Sequence, residues 1–226
     1  MVKYSFVETL YRDDWLLVVD KPAGLPVLPD GWEAEAPYLL QLVEQIAGKV
    51  WVVHRLDKGT SGVLVFALTA ESHRRLSMLF EQHLAEKIYH AIANGTPAWE
   101  QKSARHPLRA NVGHKHRTQV NDRIGKPSET HLRVLERFTA HVLVEARPVT
   151  GRPHQVRAHM SALGHPLLGD VLYGAPPTGL ISRPALHAYS LKLSHPGTGQ
   201  PLLFEAPYPA DFEAAVRSLR ARAQQR

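Results

Sequence analysis

A single carboxylate stands in a polar interruption between two apolar runs. Residues 52–66 read VVHRLDKGTSGVLVF, and Asp57 lies near the middle of this stretch. Because strands favour β-branched and apolar residues and disfavour Asp and Gly, the stretch predicts two strand ends joined by a turn that lies against a core. A carboxylate there is costly unless a donor pairs with it or the site uses its charge. Taken alone, an Asp in a Gly-containing turn is most often a local turn former.

Several other kinds of chemistry are poorly supported by the residues present. The chain has no Cys, which excludes disulfides, thiolate catalysis and Cys-based zinc or iron–sulfur sites. His154 and His159 are five residues apart, so they face different sides of a helix, and no HExxH motif is present. Ser61 lies in a TSG sequence rather than in a GxSxG nucleophile elbow. We therefore expect neither a metal site nor a serine nucleophile.

Basic residues are concentrated in residues 101–127, which we call the basic segment. Its Lys and Arg residues are Lys102, Arg105, Arg109, Lys115, Arg117, Arg123 and Lys126. Asp122 is the one acidic residue of this segment, and the other 199 residues of the chain hold 20 basic and 20 acidic groups. The formal net charge of +6 is therefore local. Such a segment suits a polyanion such as nucleic acid, although a solvated loop has the same composition.

The elements that must position these residues mix strands and helices without strict βαβ order, which predicts an α+β domain. Predicted strands cover 6–11, 16–20, 88–94, 131–136, 141–147 and 202–205. Predicted helices cover 37–47, 69–84 with Thr69 as N-cap, 153–163, and 209–222 with Asp211 as N-cap. In the third helix, His154, Arg157 and Ser161 share one face because they are three and four residues apart.

The size and composition are those of a globular protein. At 226 residues, 44% of them hydrophobic, the chain is long enough to bury a real core, and we expect one domain over residues 1–226. The longest apolar stretches, such as VLVFALTA, are far shorter than the ~20 residues of a membrane span. The first residues also lack the long apolar segment of a signal peptide. We therefore expect a soluble protein of the cytoplasm.

Four motifs occur in a fixed order along the chain. They are VVDKPAGLPV, HRLDKGTSG, KIY at 87–89, and VTGRPHQVRAHMSALGHPLLGDVLYG at 149–174. Together they resemble the RluA family of RNA pseudouridine synthases, and several motifs in order are far more specific than an isolated RLD. The resemblance implies the pseudouridine synthase fold, a mixed and mostly antiparallel sheet with flanking helices and a central RNA-binding cleft.

The resemblance also implies roles for individual residues. Asp57 fills the place of the catalytic aspartate, and Arg55 matches the arginine that helps hold the target nucleotide out of the RNA stack. Tyr89 matches the tyrosine that packs on the base, and Arg157 matches the arginine that pairs with the catalytic carboxylate. Arg152 either contacts phosphate or braces the start of its helix, and both alternatives stay open.

The implied function is isomerisation of specific uridines to pseudouridine in structured ribosomal or transfer RNA, without a cofactor. The reaction needs one carboxylate, which either attacks C1′ of the ribose or takes the C2′ proton. A glycoside hydrolase would pair two carboxylates, and Asp170, the nearest candidate for a second acid, is expected to be structural. The main alternative is an RNA-binding or remodelling protein whose catalysis is incidental or absent. We further expect a monomer without an accessory N-terminal RNA-binding domain, and a structural role for His54.

Overall fold

The computed structural model describes residues 7–29, 36–113 and 117–225. The strands are β1 (Glu8–Arg12), β2 (Leu16–Lys21), β3 (Trp51–Val52), β4 (Ser61–Ala67), β5 (Glu86–Asn94), β6 (Gln101–Ala104), β7 (Leu108–Val112), β8 (Arg117–Val120), β9 (Thr130–Arg137), β10 (His141–Pro148), β11 (Leu186–Ser194) and β12 (Pro201–Glu205). The α-helices are α1 (Leu39–Ala47), α2 (Ala70–Glu81), α3 (Gln155–Ala162) and α4 (Ala210–Gln224), and a short 3-10 helix covers Val171–Tyr173. Within the described part of the chain, no helix combines the length and the apolar character needed to cross a membrane.

The chain divides into two compact units. The first unit comprises Met1–Lys87 and Ala188–Pro207, and the second unit comprises Ile88–His187 and Tyr208–Arg226. Each unit combines antiparallel strands with two α-helices among the described residues, which confirms the predicted α+β class.

In the first unit, β1, β2, β4 and β11 are neighbours in that order, with β3 on β4 and β12 on β11. β2 runs antiparallel to β4, and its register places Leu16 opposite Ala67 and Lys21 opposite Gly62. The residues of β4 are all buried, as expected for a short continuous apolar run in the core. β3 pairs with the far end of β4, so the segment between these two strands is a loop with both ends fixed in one sheet.

In the second unit, β5, β10, β9 and β6 form an antiparallel sheet, and β7 and β8 form a separate antiparallel hairpin. α3 contributes Val156 and Met160 to an apolar cluster of this unit, and α4 contributes Phe212 and Leu219 to another. Because a helix buries one stripe of apolar residues, this packing fixes the rotation of α3 about its axis.

Most predicted elements are confirmed, with differences of a few residues at their ends. The hairpin of β9 and β10 is present, and β2 and β12 lie where they were predicted. Thr69 is the N-cap of α2, since its Oγ1 accepts the Ser72 N–H at 3.0 Å. The helix ends at Glu81 rather than residue 84, because His83 adopts a positive φ of 60°. The first predicted strand is β1, and residue 6 lies outside the described residues.

Two details of the predicted helices are wrong. α3 begins at Gln155 rather than at residue 153, because His154 is left-handed with a φ of 51° and cannot continue a right-handed helix. Asp211 is not the N-cap of α4, which is Pro209. Asp211 lies in the first turn, where its Oδ1 accepts the Phe212 N–H at 2.7 Å and its Oδ2 pairs with Arg183 Nε at 2.7 Å.

Candidate active site

Asp57 lies in the loop that joins β3 to β4 in the first unit. The loop is closed by a hydrogen bond from the Thr60 N–H to the Asp57 carbonyl at 3.0 Å. Leu56 is buried at 7% exposure, Asp57 is half-buried, and Arg55 is exposed. The buried Leu56 anchors the loop in the core, so Asp57 and Arg55 are presented from a fixed backbone.

A buried lysine ties this loop to the segment after β2. Lys21 is fully buried, and its Nζ donates to the carbonyls of Pro22 at 2.9 Å, Leu25 at 2.7 Å and Lys58 at 3.3 Å. The Gly24 N–H also donates to the Lys58 carbonyl, at 2.7 Å. The carbonyl next to Asp57 therefore receives two donors from the KPAGL segment, a link that the sequence did not reveal.

His54 has the structural role that was expected of it, with a partner in the strand. Its Nε2 accepts the Val65 N–H at 3.2 Å, and its ring stacks on Phe80 with centroids 4.3 Å apart and planes 18° apart. Burial, followed by the positive charge of Lys87, lowers the pKa of His54 to about 3. The ring is therefore neutral at pH 7, as a hydrogen-bond acceptor at Nε2 must be.

Tyr89 lies on β5 in the second unit, directly opposite Ala146 of β10. Its half-buried ring packs on the apolar cluster that contains Val156 and Met160 of α3. Arg157 follows Val156 on the same helix. The Tyr89 ring is therefore positioned by the helix that also carries Arg157.

Arg157 is held in a buried, two-pronged ion pair with Asp170. The Nε–Oδ2 distance is 2.7 Å and the Nη2–Oδ1 distance is 2.9 Å, with side-chain exposures of 8% and 1%. This geometry matches a planar guanidinium to a carboxylate and occupies the Nε and Nη2 side of the fork. Asp170, which was expected to be structural, lies in a buried ion pair, and the pairing of Arg157 with Asp57 stays a prediction.

The polar face of α3 is directed at Tyr173, the last residue of the 3-10 helix. His154 Nδ1 lies 3.1 Å from the Tyr173 hydroxyl, and the Ser161 hydroxyl donates to the Tyr173 carbonyl at 2.8 Å. The Arg157 guanidinium lies over the Tyr173 ring, 4.8 Å from its centroid. The predicted common face of His154, Arg157 and Ser161 is confirmed, and all three contact one tyrosine that had been given no role.

Arg152 contacts the end of the basic segment. Its Nε and Nη2 both donate to the Pro127 carbonyl at 3.3 Å, and its backbone N–H donates to Gln155 Oε1 at 3.0 Å. Gln155 in turn donates to the Glu129 carbonyl at 2.9 Å. Arg152 therefore braces the start of α3 in this structure, and its contact with phosphate stays a prediction.

The basic segment is more structured than a solvated loop. It contains β6, β7 and β8, and a buried Thr118 anchors β8. Five of its cations are exposed and Arg117 is half-buried. The exposed cations are Lys102, Arg105, Arg109, Arg123 and Lys126. Lys115, His114 and His116 lie outside the described residues. Of the five, Arg105 pairs with Glu129 at 2.8 Å.

Histidines of the second unit serve packing and hydrogen bonding. His159 is fully buried, with Nδ1 2.9 Å from Thr130 Oγ1 and Nε2 3.0 Å from Ser128 Oγ, whereas His154 faces Tyr173. The two rings therefore lie on different faces of α3, as predicted. In the residues that the structure describes, no group of three or more His, Asp or Glu is placed to hold a metal ion.

Comparison with protein families and curated sequences identifies similar proteins over most of the chain. The family model described as RNA pseudouridylate synthase matches residues 15–162, which include Asp57, Tyr89 and Arg157. The ribosomal large subunit pseudouridine synthase D of Nitrosomonas europaea is 38% identical over 95% of this chain and 65% of its own length. The protein of that name from Pseudomonas aeruginosa is 38% identical over 91% of this chain and 69% of its own length. The chain thus spans under two thirds of the first of these relatives.

Two solved structures with a similar fold are of human proteins. Human RNA Pseudouridylate Synthase Domain Containing 4 superposes with a TM-score of 0.77 and 27% identity, covering 94% of this chain and 93% of the other. Human RNA Pseudouridylate Synthase Domain Containing 1 gives the same TM-score and identity, covering 96% and 95%.

Proposed function

The chain belongs to the RNA pseudouridylate synthase family, and from this premise we propose that it isomerises specific uridines of structured RNA, ribosomal or transfer RNA, to pseudouridine. The observation that carries the proposal is that the residues matched by the family model include Asp57, which lies on a loop whose two ends are fixed by β3 and β4. With Asp57 the proposal joins Arg55, Tyr89 and Arg157, the site residues that the family motifs imply.

The proposed reaction exchanges one glycosidic bond for another. The C1′–N1 bond breaks, the uracil turns, and C5 bonds to C1′, while C5 loses a proton and N1 gains one. Asp57 either attacks C1′ or accepts the C2′ proton, and the two routes have the same products. The carboxylate must be ionised in either route, and a nearby guanidinium favours the ionised form. Arg157, already oriented by Asp170, is the residue we propose for this task.

The uridine must leave the RNA stack before its sugar and base can be reached. Arg55 is exposed beside Asp57, so we propose that it occupies the space that the nucleotide vacates. Tyr89 offers an aromatic face to the uracil, and base stacking of this kind contributes about 1–3 kcal/mol per base. We further propose that the protein acts as a monomer in the cytoplasm and without a cofactor.

The test measures tritium released to water from cellular RNA labelled at uracil C5, because forming the C5–C1′ bond expels that hydrogen. We expect release with the original protein and at least about a 10³-fold lower rate with Asp57→Asn, which keeps the side-chain size but removes the negative charge. Asp14→Asn is the matched control, since Asp14 is an exposed carboxylate of the same unit, and it should release tritium at the original rate.

The same assay separates the alternatives. Equal release by Asp57→Asn and the original protein would refute the assignment of Asp57. RNA binding without any release by the original protein would favour the RNA-binding alternative. Free uracil and abasic sites in the product RNA would favour a hydrolase, since water would then have reached C1′.

A further inference from the structure

Tyr173 is buried between α3 and the β7–β8 hairpin of the basic segment. It is 5% exposed and shares an apolar cluster with Leu108 of the hairpin and Ala158 of α3, against which Val120 also packs. Leu108 and Val120 face each other across β7 and β8. The ring therefore lies between the strands that carry Arg109 and Arg117 and the helix that carries Arg157.

The Tyr173 hydroxyl joins the same two elements by hydrogen bonds. It accepts the Thr118 backbone N–H of β8 at 2.9 Å, and it lies 3.1 Å from His154 Nδ1 at the start of α3. A hydroxyl that accepts one hydrogen bond still has its own hydrogen to donate, and an unprotonated Nδ1 is a suitable acceptor. Burial raises the pKa of Tyr173, so the hydroxyl keeps this hydrogen at neutral pH.

The ring face of Tyr173 supports the Arg157 guanidinium. The Arg157 Cζ lies 4.8 Å from the ring centroid, within the range of a cation–π contact, while Asp170 holds the Nε and Nη2 side. Arg117 of the hairpin approaches the same ring, with its Cζ 5.9 Å from the centroid. The ion pair with Asp170 and the cation–π contact with Tyr173 thus both orient the Arg157 guanidinium, and the second contact depends on the position of the Tyr173 ring.

We propose that Tyr173 is a positioning residue that couples RNA contact at the β7–β8 hairpin to the orientation of Arg157. The proposal rests on the proposed function, since it assigns the hairpin to RNA and Arg157 to the reaction. Phosphate bound by the exposed Arg109 restrains β7, and with it the paired β8. Because the bond to Tyr173 comes from the Thr118 backbone, restraint of the strand restrains the hydroxyl, and hence the ring beneath the guanidinium.

The test is a double-mutant cycle of Arg109→Ala and Tyr173→Phe, measured as single-turnover tritium release at saturating RNA. Tyr173→Phe keeps the ring face and removes the hydroxyl, and we expect the saturating rate to fall about tenfold, the scale of one or two lost hydrogen bonds. Arg109→Ala should lower the saturating rate about fivefold in the original protein but less than about twofold when Tyr173→Phe is already present. It should weaken RNA binding equally in both backgrounds, because the phosphate contact itself does not use Tyr173.

Tyr208→Phe is the matched control, since its hydroxyl lies 2.6 Å from His90 Nδ1 in the same unit and its ring packs on a different apolar cluster, that of Phe212 and Leu219. It should lower stability without reducing the rate effect of Arg109→Ala. Additive rate effects in the Tyr173 cycle, or an unchanged saturating rate for Tyr173→Phe, would overturn the coupling while tritium release by the original protein upheld the proposed function. No release by the original protein would overturn both.

Discussion

At the scale of single residues, the buried Lys21 stabilises the loop that carries Asp57. A fully buried ammonium group is costly unless its hydrogens find acceptors, and Lys21 Nζ donates to three backbone carbonyls. Two of these carbonyls belong to Pro22 and Leu25 and the third belongs to Lys58, next to Asp57. The burial of Lys21 is therefore explained by the loops it joins rather than by apolar packing.

Replacing Lys21 by Met tests this role. Lys21→Met keeps the length of the side chain but leaves the buried Leu25 carbonyl without this donor, so we expect the free energy of unfolding to fall by about 2 kcal/mol. Urea denaturation measures this loss, and the saturating rate of tritium release should fall with it because the Asp57 loop loosens. Lys49→Met is the control, since Lys49 is exposed and its Nζ lies over the Trp51 ring, 5.0 Å from the centroid, so stability should change by less than about 1 kcal/mol. Equal midpoints for the two variants would contradict the prediction.

At the scale of elements, what is local in the sequence was predicted and what depends on folding was not. The Thr69 cap and the apolar run of β4 are set by neighbouring residues, and both are present. The strands of the basic segment were not predicted, because the apolar–polar alternation of β7 covers only five residues, and its Asn111 has a positive φ of 57°. Tyr173 carried no signal beyond its place in a motif, because its partners come from β8 and α3.

In the candidate site, too, local features were predicted and long-range contacts were not. The apolar runs on either side of Asp57 made this carboxylate noticeable, but the motifs supplied its catalytic role, as they supplied the roles of Arg55 and Tyr89. The bidentate partner of Arg157 was not predicted, since Asp170 reaches it only after the chain leaves α3 and turns at Gly169. A long-range contact of that kind has no local pattern in the sequence.

Gly62 offers a test of how closely β4 approaches β11. Its φ is 113°, and a Cβ at this position would lie 2.2 Å from the carbonyl oxygen of Ala188, a backbone atom that cannot move alone. We expect Gly62→Ala to lower the free energy of unfolding by more than about 3 kcal/mol, because backbone strain and a steric clash add together. Thermal and urea unfolding would measure the loss.

Gly48→Ala is the matched control for this substitution. Gly48 also has a positive φ, 73°, but nothing lies within 4 Å of a Cβ built on it. Its substitution should therefore cost only the backbone term, about 1–3 kcal/mol, because a φ of 73° with a ψ of −151° is essentially restricted to glycine. If both alanine variants lowered the free energy of unfolding equally, the close approach of β4 and β11 would not contribute to the loss in Gly62→Ala.

At the scale of the whole molecule, the positive charge is unevenly distributed. Outside the basic segment the formal charges cancel, and many exposed cations have an acidic neighbour. Examples are the ion pairs of Arg74 with Glu71 and of Arg220 with Glu136, whose N–O distances are 2.8 Å and 2.7 Å. An RNA that binds through phosphate contacts should therefore be attracted mainly by the basic segment.

The salt dependence of RNA binding tests this distribution. A triple variant replaces three exposed cations of the basic segment by Gln: Arg109, Arg123 and Lys126. Each phosphate contact adds about 0.7–0.9 to the slope of log affinity against log salt, so we expect the triple variant to bind more weakly and to lower the slope by about 2.

A control triple removes the same charge from ion pairs elsewhere: Arg74, Lys192 and Arg217, paired with Glu71, Glu86 and Glu213. The control should change the slope by less than about 0.5, because those cations are already neutralised by their partners and make no phosphate contact. If both triples reduced the slope equally, net charge rather than the basic segment would govern the attraction of RNA.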